Sequence, residues 1–374
     1  MRARRAGRPA PRRARAGTDA RGREHTIALE KDTTGIHSWG WGDFGRLGHG
    51  DSDDQFLPRP IKALASQPIA FVACGDSHSM FITPAGELLC CGRNQEGELG
   101  LGHNDDVRVP TRIPALKDEK IAGVACGAEH TVACTEGGAL FAWGWGGYGN
   151  LGLGTTENQS SPCPVPGVSD IKSVACGWRH SCGIDGKGNL IVFGWNKYGQ
   201  LGIGSFEHSL RAVAVEKIKQ VKKVSGGWRH TAALTADGKL YCWGWNRFGQ
   251  VGAGDQADKN EPTLVPKFAA AEVTDVVCGW RHTICITAEN SVFSWGRGSD
   301  GQLGTGVAVD NLAPQLIREI SGLHVELNTL ETQEAGTGYI PPDQRYSVVP
   351  EQDGTVLEVP DIPMPPGKRA KIAQ

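Results

Sequence analysis

A glycine-rich aromatic turn recurs six times along the chain, and its spacing leaves few folds open. It reads WGWGDFGRLGHG from Trp39, CGRNQEGELGLG from Cys91 and WGWGGYGNLGLG from Trp143. It returns as FGWNKYGQLGIG from Phe193, WGWNRFGQVGAG from Trp243 and WGRGSDGQLGTG from Trp295, so successive copies start 50 or 52 residues apart. A steady period of this length means modules that cannot bury their apolar faces alone and must pack on their neighbours. A second motif, Gly-x-x-His, alternates with the first: GREH at 22–25, CGDSH at 74–78 and CGAEH at 126–130, then CGWRHS at 176–181, GGWRHT at 226–231 and CGWRHT at 278–283.

Within a copy the segments are short. HTAALTADGKLYCWGW, residues 230–245, reads as strand, turn, strand, with Asp237-Gly238 as the hairpin signal. Helical periodicity is absent. Short strands with one Gly/aromatic motif per unit predict an all-β chain folded as a β-propeller. The paired glycines fit tight turns that need positive φ.

Bulk properties narrow the function classes. There are 39 Lys and Arg against 41 Asp and Glu, a net charge of −2, which is no footprint of a nucleic-acid binder. No run of about 18 apolar residues is present, and no apolar signal-peptide core is visible near the start. The 11 cysteines form no compact framework and are expected to be reduced thiols of a cytosolic or nuclear protein. No nucleophile–base pair recurs at one site, so an enzyme is not expected. Cys-x-x-x-His invites a zinc reading. The motif occurs once per module, however, and Gly226 replaces the Cys in one copy. The expectation is therefore a small buried Cys and a hydrogen-bonded structural His, with no metal and no cofactor.

The tryptophans divide into two groups. Trp39, Trp143, Trp243 and Trp295 open the aromatic turn and are expected to pack in the core between blades. Trp178, Trp228 and Trp280 occupy one equivalent position in three successive copies, which a propeller sets side by side on one face. The earlier copies carry Arg23, Asp76 and Ala128 there, so the fold itself does not require Trp. Each of the three is followed by an arginine (Arg179, Arg229, Arg281), and a guanidinium over an indole face is a favourable contact of about 0.5–2 kcal/mol. Such a cluster can bind a ligand or a partner. It can also absorb ultraviolet light, since closely packed indoles couple and share excitation energy.

These motifs resemble the regulator-of-chromosome-condensation repeat family, whose members are seven-bladed propellers. The resemblance covers roughly residues 22–322. Within the family, the three consecutive Gly-Trp-Arg-His copies and the double-Trp turns are similar to those of the plant ultraviolet-B photoreceptors. The resemblance implies that Trp178 and Trp228 are the main light-sensing pair and Trp280 an auxiliary ring, with Trp41 completing the cluster from the opposing subunit of a homodimer. It implies that Arg179, Arg229, Arg281, Arg93 and Arg297 belong to an interface network whose matching acids are Asp43, Asp54 and Glu129. Excitation then disturbs the arginines, the dimer separates and the monomer signals. The implied partner is the WD-repeat domain of an E3 ubiquitin ligase, engaged through Val349 and Pro350 in RYSVVPEQ; Val359-Pro360 is a second such pair. WD-repeat repressors and transcription factors are further implied partners, without membrane or nucleic acid, in cytoplasm and nucleus. The alternative job of this fold is guanine-nucleotide exchange on a small GTPase at chromatin.

Departures from the family pattern are also legible. Cys91 stands where the family has Trp, Gly147 where it has Arg, and Ser181 where it has Thr. Six motifs are visible against seven blades, so the first blade is expected to be missing. Residues 1–21, with eight arginines, are expected to be a disordered or mispredicted start, and 323–374 a mobile tail.

Overall fold

The computed structural model describes residues 19–21, 24–30 and 35–322. The chain divides into two units, 1–335 and 336–374, and the described residues all lie in the first. They form six four-stranded sheets, each built from strands consecutive in the sequence and paired antiparallel to the next. The fifth sheet shows the plan: Val221–Gly226, His230–Thr235, Leu240–Gly244 and Lys259–Leu264, from the axis outward. First strands of successive sheets touch one another, which places them around the axis. This is the β-propeller expected from the repeat, with six blades among the described residues.

The strand–turn–strand reading of residues 230–245 holds. His230–Thr235 pairs with Leu240–Gly244, and the turn closes through Gly238, which takes φ +77°. The first blade corrects one boundary. Asp19–Arg21, assigned to the irregular start, forms its inner strand and pairs with Thr26–Ala28. A three-residue strand is shorter than a periodic pattern can reveal.

Two motifs meet at each seam between blades. In the fifth blade the Thr231 hydroxyl donates to the carbonyl of Gln200 in the fourth (2.8 Å), and the Trp243 indole donates to the same oxygen (2.9 Å). The hydroxyl proton is thereby committed, so Thr231 must accept from His180 Nε2 (2.9 Å), which carries its ring proton there. Equivalent fasteners join His25 to Ser79, His78 to Thr131, His130 to Ser181 and His230 to Thr283. Ser181 keeps the hydroxyl that the bond needs, so its departure from Thr is harmless. The histidines are buried and so are Cys74, Cys126, Cys176 and Cys278, as expected; all 11 cysteines are unlinked thiols.

Trp143, Trp243 and Trp295 are fully buried, each against the preceding blade. Trp39 is only half-buried, against expectation. No described blade precedes the first to offer its indole the carbonyl that Trp143, Trp243 and Trp295 reach. Cys91 fills the same position in the second blade and turns its Sγ toward the Arg46 carbonyl (3.7 Å).

Candidate functional site

The Gly-Trp-Arg-His segment is the tip joining the first and second strands of a blade. Gly227 N–H donates to the His230 carbonyl (2.8 Å), closing a loop with Trp228 and Arg229 at its apex. A side chain on Gly227 would meet His230 Cε1 at 2.4 Å, so the buried fastener dictates glycine there. Adjacent tips are tied by backbone: Trp178 N–H donates to the Gly227 carbonyl (3.2 Å). This tie sets Trp178 beside Trp228.

The aromatic turn delivers a second ring to the same face. Trp245 N–H donates to the Arg229 carbonyl (2.8 Å), and Trp195 N–H to that of Arg179 (2.9 Å). Gly244 permits this approach: its φ is +101°, and a Cβ would lie 2.6 Å from the Arg229 oxygen. In the Trp-Gly-Trp triplet the first ring therefore enters the core, and the second comes to the face.

The rings form a continuous array. Trp178 and Trp228 have centroids 6.0 Å apart at 67°, and Trp228 and Trp280 5.1 Å apart at 74°. Trp195 lies 5.6 Å from Trp178, and Trp245 lies 5.4 Å from Trp228. Tyr148 stacks on Trp195 at 5.7 Å and 20°, and Trp145 meets Tyr148 edge-on at 5.2 Å. Tyr198 bridges Trp195 and Trp245, and Phe248 closes the far side of Trp245. Edge-to-face contact dominates, the geometry that the ring quadrupole favours.

The arginines lie on these rings. Arg229 stands 3.6 Å from the Trp228 centroid and donates to the Tyr198 hydroxyl (2.7 Å). Arg179 is sandwiched between Trp145 (4.1 Å) and Trp178 (4.2 Å). Arg281 is 4.8 Å from both Trp228 and Trp280. Among the described residues no group of three or more metal-ligating side chains is placed to hold an ion.

The charged residues singled out in the sequence fall into separate places. Glu129 accepts from Arg93 Nη1 (2.9 Å) and faces Arg179 Nη2 (3.4 Å), so these three pair within one chain. Arg297 pairs with Asp300 (3.0 Å). Trp41 stands apart from the array, over Arg46 at 5.1 Å. Asp54 accepts from Gly42 N–H (2.8 Å), a turn closure that Asp106, Asn158, Asp258 and Asp310 repeat in other blades. His208 takes that position in the fourth blade and accepts through Nδ1 from Asn196 N–H (3.1 Å), with Tyr148 against its ring. Asp43 is half-buried in the short turn Asp43–Gly45, and its carbonyl accepts from Arg46 Nε (3.0 Å). Val349 and Pro350 lie outside the described residues.

Sequence reasoning missed six of the nine rings of the array: Trp145, Tyr148, Trp195, Tyr198, Trp245 and Phe248. The signal was present in the second aromatic of Trp-Gly-Trp and in the aromatic three residues further on. Reading it required knowing that the intervening glycine reverses the side on which the next ring emerges.

The RCC1-like domain family matches residues 7–339. The ultraviolet-B receptor UVR8 of Arabidopsis thaliana is 48% identical over 342 residues, covering 89% of this chain and 78% of the receptor. The probable E3 ubiquitin-protein ligase HERC4 of Mus musculus is 39% identical over 142 residues, 38% of this chain and 13% of that protein. Among solved structures, Prp20p of Saccharomyces cerevisiae superposes with a TM-score of 0.69 at 23% identity, covering 80% of this chain and 76% of its own. Human WBSCR16 gives 0.71 at 23%, with 80% of each chain covered. At such identities these last two show the shared fold alone. The matched length and the repeat geometry together settle the family: the chain belongs to the RCC1-like domain family and is a homologue of the plant ultraviolet-B receptor.

Proposed function

We propose that the chain is an ultraviolet-B photoreceptor whose chromophore is its own tryptophan array. The observation that carries this reading is the position of Arg229, 3.6 Å over Trp228, inside an unbroken set of ring contacts that gathers Trp178, Trp195, Trp245 and Trp280. Rings at 5–6 Å exchange excitation readily, so light absorbed anywhere in the array reaches Trp228. The excited indole redistributes charge directly beneath a guanidinium, and the attraction that holds Arg229 in place changes.

The charges on this face are polarised in a way that suits self-association. In the first two blades the tips and turns carry Asp43, Asp54 and Asp76 beside Arg46 and Arg93, while blades four to six carry Arg179, Arg229 and Arg281. A two-fold axis through such a face sets the acidic half of one copy on the basic half of the other, and every contact occurs twice. Charge-assisted pairs of this kind are sensitive to the loss of one partner, which leaves a desolvated opposite charge behind. In the proposed cycle the dark form is a homodimer held by arginine–carboxylate pairs. Light disturbs Arg229 and Arg179, and the monomer then binds a WD-repeat domain of an E3 ubiquitin ligase through Val349 and Pro350, in cytoplasm and nucleus.

The test is size-exclusion chromatography of the purified chain in the dark and after ultraviolet-B, beside Trp228→Phe. The expected result is a dimer that becomes a monomer on illumination in the parent, and a dimer unmoved by light in the variant. A parent dimer indifferent to light overturns the reading and directs attention to nucleotide exchange on a small GTPase.

A further inference from the structure

One position of the aromatic turn departs from its own repeat. Asn150, Gln200, Gln250 and Gln302 occupy it in the last four copies, while the second carries Glu98. The neutral side chains close the turn locally. Gln200 Oε1 accepts from Tyr198 N–H (3.0 Å), and Gln250 Oε1 from Phe248 N–H (3.0 Å). Glu98 does the same with Oε2, accepting from Glu96 N–H (2.8 Å). Its other oxygen has no counterpart in those copies. Oε1 faces Arg93 Nη1 at 3.7 Å, and the Glu98 side chain is only 1% exposed.

That nitrogen of Arg93 is already in use, since it donates to Glu129 Oε1 at 2.9 Å. One guanidinium nitrogen therefore stands between two carboxylates of unequal burial. The groups around Glu98 are few. From its own loop come Arg93 and Glu96, whose carboxylate lies 3.9 Å from the other terminal nitrogen of Arg93. From the tip of the next blade comes Glu129, with Arg179 behind it at 3.4 Å. The strands His130–Thr135 and Leu140–Gly144 meet its backbone, where Thr131 and Trp143 both donate to the Glu98 carbonyl, and His130 on the first of them is uncharged at neutral pH, lowered by burial to about 3.

We propose that Glu98 is a positioning residue for this face: its protonation state decides how tightly Arg93 holds Glu129, and thereby how strongly two copies of the chain associate. With Glu98 protonated, Arg93 belongs to Glu129, which stays clamped within its own chain. With Glu98 ionised, Arg93 is shared and Glu129 is pushed away by a like charge. Glu129 then turns more readily to an arginine of a second copy, and the acidic half of the face gains one charge. Burial pushes the Glu98 carboxyl up to about 7, opposed by its own amide, Arg93 and the Glu96 amide, with Glu129 adding to the rise. The exchange thus falls at neutral pH. Association strengthens as the proton leaves.

This inference rests on the self-association proposed above, and two measurements on the full chain separate the failure of one from the failure of the other. Glu98→Gln installs the side chain that other copies already carry, so the fold accepts it. Carboxyl-carbon NMR of glutamate-labelled chain, parent against variant, isolates the Glu98 signal; it is expected to titrate near neutrality. Sedimentation in the dark is expected to show dimer affinity falling by about tenfold from about pH 8 to about pH 6 in the parent, the effect of one pK unit of coupling. The variant is expected to be flat and to match the parent at the lower pH. Parallel pH profiles in parent and variant overturn the proposal and leave the photoreceptor reading intact. Titration of Glu98 in the ordinary carboxylate range also overturns it. Absence of any dimer while Glu98 titrates near neutrality sinks both.

Discussion

Arg229 shows how much one residue at a loop apex can hold together. Its carbonyl anchors Trp245, its guanidinium covers Trp228, and its Nη1 donates to Tyr198. The Tyr198 hydroxyl is thus a handle on the cation, and Tyr198→Phe removes it without removing the ring. That variant is expected to lose about 0.5–1.5 kcal/mol of stability and to change the tryptophan emission of the dark state; unchanged emission would show that Arg229 holds its place without the hydroxyl. Glu98 gives a second prediction at this scale. Its carboxyl titrates higher in the folded chain than in the unfolded one, so between the two values the folded state binds the extra proton. Stability then falls as pH rises through that window. Glu98→Gln is expected to gain about 1–3 kcal/mol near pH 8 and little near pH 4.5, read by urea unfolding at both. Residues of this kind were the least legible in the sequence. Trp178, Trp228 and Trp280 announced themselves because other copies lack them. Trp195 and Trp245 looked like ordinary repeat aromatics, and Glu98 looked like a surface acid, because only the turn of the backbone at glycine shows which side chains point to the face and which are buried.

At the scale of the element, the sequence carried nearly everything. Strand–turn–strand hairpins, six modules and a buried His in each followed from spacing, since the repeat imposes one geometry six times. The exceptions fall in the first blade, where no described blade precedes the short strand Asp19–Arg21 and the half-buried Trp39. What spacing could not disclose is how the two motifs lock together. His180, Thr231 and the Gln200 carbonyl form a two-step relay that crosses the same seam twice. Thr231→Val keeps the shape and deletes both bonds, leaving a buried N–H and a carbonyl that retains only Trp243. The expected cost is about 1–3 kcal/mol, measured by chemical denaturation, whereas Thr231→Ser should hold within about 1 kcal/mol, as Ser181 does the same job at another seam. Gly244→Ala is a sharper break. Its Cβ would sit 2.6 Å from the Arg229 oxygen at a φ of +101°, so the Trp245–Arg229 bond must open. Loss of the array's circular-dichroism signal in the near ultraviolet, with the far-ultraviolet spectrum kept, is the expected signature.

For the whole blade assembly, the seams make acid the decisive stress. Burial lowers the histidines at them far below the usual imidazole range, to about 3 for His78, His130 and His230 and about 4 for His180, and lowers His25 in the same direction, with neighbouring cations and histidines adding to the effect at several. Each is neutral in the folded chain and protonates near 6.5 once unfolded, so the unfolded state binds more protons below that value. Stability is therefore fully present above about pH 6.5 and declines as pH falls toward 3–4. At pH 5 each such His has given up about 2 kcal/mol, and because five of them sit at successive seams the losses accumulate on one cooperative structure. The interval between about pH 6.5 and 5 is therefore where the seam histidines act. Glu98 runs the other way in the same interval, taking up a proton in the folded state and partly offsetting the decline. The urea midpoint is thus expected to drop steeply over this interval in the parent and more steeply still in Glu98→Gln, with the two curves converging near pH 5. A midpoint that stays level would mean that the seam histidines keep their ordinary titration and that the blades are fastened by something other than buried neutral imidazole.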